Sequence, residues 1–228
     1  MKDANFNLTI DILKKNNVDY WVCHGTLLGI IRDGQLLSWD NDIDIGILET
    51  KNNKEQIISM FLENGFEKKK KFFDDDGLVT FVKEGGKEVD LNFYNFLISN
   101  APNEKSILYI NWYVPKNYLM KLIFALSQAH TFEGKYKKLI KLLRYFKFFF
   151  DLLLKLLIKK KMFYKKAGYQ HPYHFVKDLK TIVFQDVSIN IPCKEYEYLS
   201  FIYGKSWKIK KKNFNWEKDS PATKVYKN

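Results

Sequence analysis

The chain is 228 residues long, enough for one sizeable core or one domain with an insertion. High aromatic content argues against disorder, and only two cysteines, Cys23 and Cys193, argue against a disulfide framework or a zinc site. A net charge of +12 leaves anionic partners open, among them nucleic acid, acidic lipid headgroups and phosphorylated substrates. Residues Asp3 to Asn16 read as a helix, with Phe6, Ile10 and Leu13 at helical spacing and Lys14 and Lys15 in its last turn. This N-terminus lacks the uninterrupted apolar core of a signal peptide, and charges interrupt every long apolar run. The expected location is cytoplasmic.

Tyr20 to Leu48 is the most organised stretch. A short apolar run, Tyr20 to Cys23, leads through the small-residue turn Gly25-Thr26 into a helix-like segment, Leu27 to Ile31. Trp39 and the alternating carboxylates Asp40, Asp42 and Asp44 follow. Successive side chains of a strand point to opposite faces, so Asp42 and Asp44 share one face with Ile43, Ile45 and Ile47 behind it. Asp40 joins that face if the strand starts that early. Like charges on an apolar-backed strand raise one another's pKa unless a cation lies between them. Magnesium, or manganese, is the natural partner, since both accept carboxylate and phosphate oxygens.

The ordered run Gly25-Thr26-Leu27-Leu28-Gly29, Arg32, Trp39-Asp40-Asn41-Asp42-Ile43-Asp44 resembles the LicD family, which includes the fukutin-type proteins. The resemblance implies a nucleotidyltransferase-type α+β fold, a mixed sheet flanked by helices. It also implies transfer of a substituted phosphate from a CDP-activated donor, phosphocholine from CDP-choline being the first choice, to a cell-surface or lipid-linked glycan. In that reading Asp42 and Asp44 hold the metal and Asp40 is a further ligand or supports them. The amides of Gly25 and Thr26 approach phosphate at a helix N-terminus. Arg32 contacts phosphate or base, with a surface ion pair to Asp33 as the bland alternative. His24 adjoins the turn and either touches the donor or is simply structural.

Lys54 to Asn64 reads as a second amphipathic helix ending at Gly65. Asp74-Asp75-Asp76 is consecutive rather than alternating and reads as a solvated loop. Leu78 to Lys83 and Lys87 to Phe96 form a hairpin around Glu84-Gly85-Gly86. In its second arm Asp90 stands on a polar face, with Val89, Leu91 and Phe93 behind. The resemblance makes Asp90 the third carboxylate, as metal ligand or as base for the acceptor hydroxyl; a half-buried strand with an acidic outer face is the alternative. Tyr118 to Leu126 reads as a helix.

Gly134 to Lys166 reads as a helical insertion, one basic amphipathic helix or a helical pair. On a helix, Lys137, Lys141, Arg144, Asp151, Lys155 and Lys159 fall in one stripe, with Lys147 at its edge. Leu139, Leu142, Leu143, Phe146, Phe149, Phe150, Leu153, Leu154 and Leu157 fill a much wider apolar face. A core helix with a solvated lysine row and a helix lying on the inner face of the plasma membrane fit equally well. The family resemblance returns between His171 and Trp207: a turn at Phe184-Gln185-Asp186, a strand ending in Pro192, and a helix from Lys194 to Tyr203-Gly204. Lys208 to Lys212 reads as a solvated run and the tail after Trp216 as loosely held.

The whole reads as one catalytic domain, 1–228, with an insertion at 134–166. Two alternatives remain beside phospho-group transfer: a nucleotidyltransferase moving the nucleotide itself, and a non-catalytic membrane-bound scaffold. Nucleic acid is not an expected partner, because the lysines fall in short separate runs and the best-organised segment is acidic.

Overall fold

The structure is a computed structural model describing residues 2–69, 76–97, 105–127, 137–158, 163–211 and 214–226. Helix α1 spans Ala4–Lys15; the Asp3 carboxylate caps it by accepting from the Phe6 amide at 3.0 Å. Its Phe6, Ile10 and Leu13 are fully buried. Strand β1, Tyr20–Val22, is followed by the short helix α2, His24–Leu28, and a π-helical turn over Gly29–Asp33 that ends at Gly34 with φ of 67°. Strand β2, Asp42–Leu48, runs antiparallel to β1. Helix α3, Lys54–Glu63, is capped by Asn53. Two-residue β3, Glu67–Lys68, and β4, Leu78–Val82, lead into β5, Glu88–Phe96, and β6, Ile107–Pro115.

β5 is the hub of the sheet. One edge pairs in parallel with β2, bringing Asp44 opposite Asp90 and Asp42 opposite Glu88. The other edge is shared antiparallel, β4 along Val89–Asn92 and β6 along Asn95–Phe96. Gly85, with φ of 97°, makes the turn between β4 and β5. Asp74 and Asp75, read as a solvated loop, lie outside the described residues; Asp76 is buried, and its Oδ1 accepts from the Tyr113 amide at 3.1 Å.

The chain divides into two compact units. The first holds residues 1–68, 77–110 and 168–224, and the second 69–76, 111–167 and 225–228. The second contains α4, Tyr118–Ser127, α5, Lys137–Leu142, and α6, Lys147–Ile158. Met120, Ile123 and Leu154 form its centre, with Phe150, Leu153 and Leu157 packed against them. Of the two forms expected for this segment, one helix or a helical pair, the structure shows the pair: a 3₁₀ turn over Leu143–Phe146 separates α5 from α6. Gly134 to Tyr136 and Lys159 to Met162 lie outside the described residues. Tyr164 to Lys166 opens a strand, β7, Tyr164–Pro172, rather than closing a helix.

Back in the first unit, β8, Leu179–Phe184, and β9, Val187–Pro192, form a hairpin. Its two-residue turn, Gln185-Asp186, has φ of 51° and 66°, the double left-handed geometry that matches strand twist. Ile189 and Ile191 are buried, and β9 packs along β1. Helix α7, Glu195–Tyr203, buries Tyr198, Leu199 and Ile202. The tail after Trp216, expected to be loosely held, carries regular structure among its described residues. It forms the short helix α8, Trp216–Asp219, and the strand β10, Thr223–Tyr226.

Candidate active site

Alternation along β2 does what the pattern requires. Ile43, Ile45 and Ile47 are fully buried, while Asp42 and Asp44 are half-buried on the other face. Asp40 lies just before the strand, and the carboxylates of Asp40, Asp42 and Asp44 each place an oxygen within 4.8 Å of the others. Lys87 holds this approach by donating from its ammonium to the carbonyls of Leu37, at 3.1 Å, and Asp40.

The turn at 23–26 locks Asp44. The Cys23 amide donates to the Asp44 carbonyl at 3.1 Å, the Asp44 amide donates to Thr26 Oγ1 at 2.8 Å, and the Gly25 amide donates to Asp44 Oδ2 at 3.0 Å. Gly25 and Thr26 were expected to offer amides to phosphate. In the structure the Gly25 amide is taken by a carboxylate, and the Thr26 side chain orients the strand. Gly25 also has no room for a side chain, since a Cβ there would lie 2.2 Å from Asp40 Oδ2.

Asp90 stands opposite Asp44 in the parallel register, and its Oδ1 accepts from the Thr80 hydroxyl. It is not one of the three carboxylates gathered within 4.8 Å. It acts on the site through charge. Burial, then Asp42, Asp90 and Asp40, push the Asp44 carboxyl well above the usual range, opposed by the Gly25 amide. Burial, then Asp40 and Glu88, push Asp42 up to about 8. Two carboxylates so placed either hold protons or share a cation, and a hard divalent ion suits three carboxylate oxygens this close.

His24 is buried with a left-handed φ of 44°. Its Nε2 is 2.7 Å from the Tyr94 hydroxyl, and its ring packs on Tyr169 at 4.5 Å between centroids. Burial, then His171, lowers its pKa to about 3, so it is neutral at ordinary pH. Arg32 makes the bland pair with Asp33, Nε to Oδ1 at 3.0 Å and Nη2 to Oδ2 at 3.1 Å, yet it still faces the cleft.

That cleft, about 820 Å³, is lined by the three carboxylates, His24, Gly25 and Arg32 on one part. The rest of its wall includes Trp39, Tyr203, Trp207, Lys210, Lys211 and Trp216. Lys210 was read as part of a solvated run. It is exposed as that reading expects, and its ammonium also sits 3.4 Å from Asp33 and 5.8 Å from the Trp39 ring, while Arg32 approaches the same ring at 5.9 Å. The signal that could have found this wall is aromatic interleaving: Trp207, Phe214 and Trp216 bracket the lysines.

A family model described as LicD/FKTN/FKRP, nucleotidyltransferase domain, matches residues 17–148, more than half of the chain. Human FKTN, a ribitol-5-phosphate transferase, is 23% identical over 215 residues, 94% of this chain and 34% of that protein. Human FKRP, a ribitol 5-phosphate transferase, is 35% identical over 88 residues, 36% of this chain and 18% of that protein. The chain thus spans about a third of the length of the FKTN proteins it matches. Among solved structures, the lincosamide antibiotic adenylyltransferase LnuA, lincomycin-bound, aligns with a TM-score of 0.45 and 13% identity, covering 88% of this chain and 85% of LnuA. Matched through the turn, the carboxylate strand and the sheet just described, this chain belongs to the LicD/FKTN/FKRP family and carries its nucleotidyltransferase domain.

Proposed function

We propose that this chain transfers a phospho-substituted alcohol from a CDP-activated donor to a hydroxyl of a cell-surface or lipid-linked glycan. The observation that carries the reading is the gathering of Asp40, Asp42 and Asp44 at the cleft, with Asp42 and Asp44 destabilised as bare anions. These three residues would hold a divalent cation, magnesium or manganese, which neutralises charge on donor phosphate oxygens. Arg32 and Lys210, both paired with Asp33, place positive charge on the cleft wall where an anionic donor would lie. Trp39, exposed beside both cations, offers a flat face to a nucleobase. Asp90, held by Thr80, tunes Asp44 and is a candidate acceptor for the proton of the attacking hydroxyl. His24 stays neutral and shapes the floor.

The similarity to FKTN and FKRP, ribitol-phosphate transferases, favours ribitol phosphate as the group moved; phosphocholine is the competing choice. A thermal-shift series with CDP-ribitol, CDP-choline, CDP-ethanolamine and CDP-glycerol, each with and without magnesium, separates them. One donor should raise the melting temperature only with the metal, since a ligand stabilises the state it binds. The mass of the product then tells phospho-group transfer from nucleotide transfer. No metal-dependent shift with any CDP donor would sink the reading, as would an equal shift in Asp42→Asn.

A further inference from the structure

The positive charge of this chain is not spread along it. Residues 116–166 hold fourteen lysines and arginines against two acids, Glu133 and Asp151, while the rest of the chain holds 24 of each sign. The whole formal charge of +12 therefore lies in this one segment, most of the second unit.

The helices there have two apolar faces rather than one. On α6, taken at about 100° per residue, Phe150, Leu153, Leu154 and Leu157 share a sector, and all four belong to the core that includes Met120 and Ile123 of α4. Phe148, Phe149, Leu152 and Leu156 occupy a second sector, and all four are exposed, Phe148 at 82%. Lys147, Asp151 and Lys155 fill the remainder. The outer face continues into the 3₁₀ turn and α5 through Tyr145, Phe146, Leu142 and Leu139, also exposed. Water-facing helix surfaces are normally polar, and an exposed apolar area of this extent marks an interaction surface. Helix α6 is 12 residues long, and no described helix is long and apolar enough to cross a membrane.

We propose that α5 and α6 seat this chain on an anionic lipid bilayer. Phe148, Phe149, Leu152, Leu156 and Leu142 enter the acyl boundary, and Lys138, Lys141 and Lys155 lie among the headgroups. Charge selects this occupant. A second copy docking on the same face would bring two segments of +12 together, whereas an anionic bilayer meets both the apolar face and its cationic rim. The inference does not depend on the reaction proposed for the first unit.

The test is cosedimentation of the full chain with vesicles of phosphatidylcholine alone, and with about a third phosphatidylglycerol. The wild type should bind the anionic vesicles, less tightly as salt rises, and should bind the neutral ones at least about tenfold more weakly. Phe148→Gln/Leu152→Gln/Leu156→Gln changes exposed positions only, and its fold is checked by circular dichroism. It should lose at least about tenfold in affinity for anionic vesicles, and Lys138→Glu/Lys141→Glu/Lys155→Glu should lose as much or more. In Phe148→Trp, the added fluorescence should shift to the blue and be quenched by bromine-labelled acyl chains. Failure to bind anionic vesicles at low ionic strength overturns the proposal. Unchanged binding by the glutamine variant also overturns it, since adsorption would then be by charge alone. So does a concentration-dependent dimer that the glutamine variant abolishes and vesicles leave intact, because a second copy would then cover the face.

Discussion

The carboxylate cleft and the α5–α6 face break the same rule in opposite directions. At the cleft, charged groups are drawn in: Asp42 and Asp44 sit on a strand backed by buried isoleucines, where their ionised forms are disfavoured. On α6, apolar groups are pushed out: Phe148, Leu152 and Leu156 face solvent a turn away from a core that had room for Leu154. Each region is incompletely satisfied within the chain. The kind of deficit names the kind of partner, a cation for crowded carboxylates and an apolar surface for bare phenylalanines.

The strongest way to break the comparison is at the carboxylates. Asp42→Asn or Asp44→Asn should lower turnover roughly a hundred- to several-thousand-fold, about 3–5 kcal/mol of transition-state stabilisation. Without metal, the same variants should melt no lower than wild type, because removing one of several crowded like charges relieves repulsion. Turnover near wild type in a folded variant would show that these charges do no chemistry.

The inner face of α6 gives the next largest effect. Leu154 is 1% exposed among Met120 and Ile123, so Leu154→Ala should destabilise the second unit by about 2–4 kcal/mol, read from urea melts. Gly25→Ala comes next. A Cβ 2.2 Å from Asp40 Oδ2 forces that carboxylate away from Asp42 and Asp44, at a stability loss of about 1–3 kcal/mol. Metal affinity, followed by the magnesium-dependent melting shift, should fall with it. An unchanged shift would mean that Asp40 is not part of the cation site.

Acid should act in part through His24, beside His171, whose pKa burial likewise lowers, to about 4. The folded pKa of His24 is about 3 against an ordinary 6.5, with burial the main cause, so between those values the unfolded chain takes up a proton that the folded chain refuses. The His24 contribution to stability is therefore full above pH 6.5 and falls as the pH drops toward 3. His24→Asn, chosen because asparagine tolerates the left-handed backbone, should remove about one proton from the uptake on unfolding between those limits. The same pH slope in both proteins would place the acid sensitivity elsewhere.

Much of the cleft was legible because its signals are local. Period-two alternation fixed Asp42 and Asp44 against Ile43 and Ile45, and Gly85-Gly86 marked the hairpin that carries Asp90. The far wall was not legible. Arg32 reaches the Trp207 carbonyl across 175 positions, at 3.5 Å, and Lys210 meets Asp33 over a similar span. Nothing local marks which lysine of an exposed run will meet a distant carboxylate. Gly25 shows a third kind of limit. Its place in the motif was visible, but its reason, a carboxylate where a Cβ would be, exists only once Asp40 has folded over it. A helical pair was one of the forms expected for this segment, but the position of its break was not legible, because Leu143, Tyr145 and Phe146 continue the apolar pattern of the flanking helices.

The smallest expected effect sharpens the comparison most. Leu152 lies two positions from Leu154 on the same helix and is 51% exposed. Leucine and alanine have similar helix propensities, so the backbone is indifferent to the change. Leu152→Ala removes apolar surface that is already about half in water, and should alter stability by less than about 0.5 kcal/mol. Set against the loss at Leu154, that near-zero value is the signature of an outer face that folding does not use. A loss at Leu152 matching that at Leu154 would mean that the free chain covers this face, and α6 would then be an ordinary core helix with its lysines in solvent.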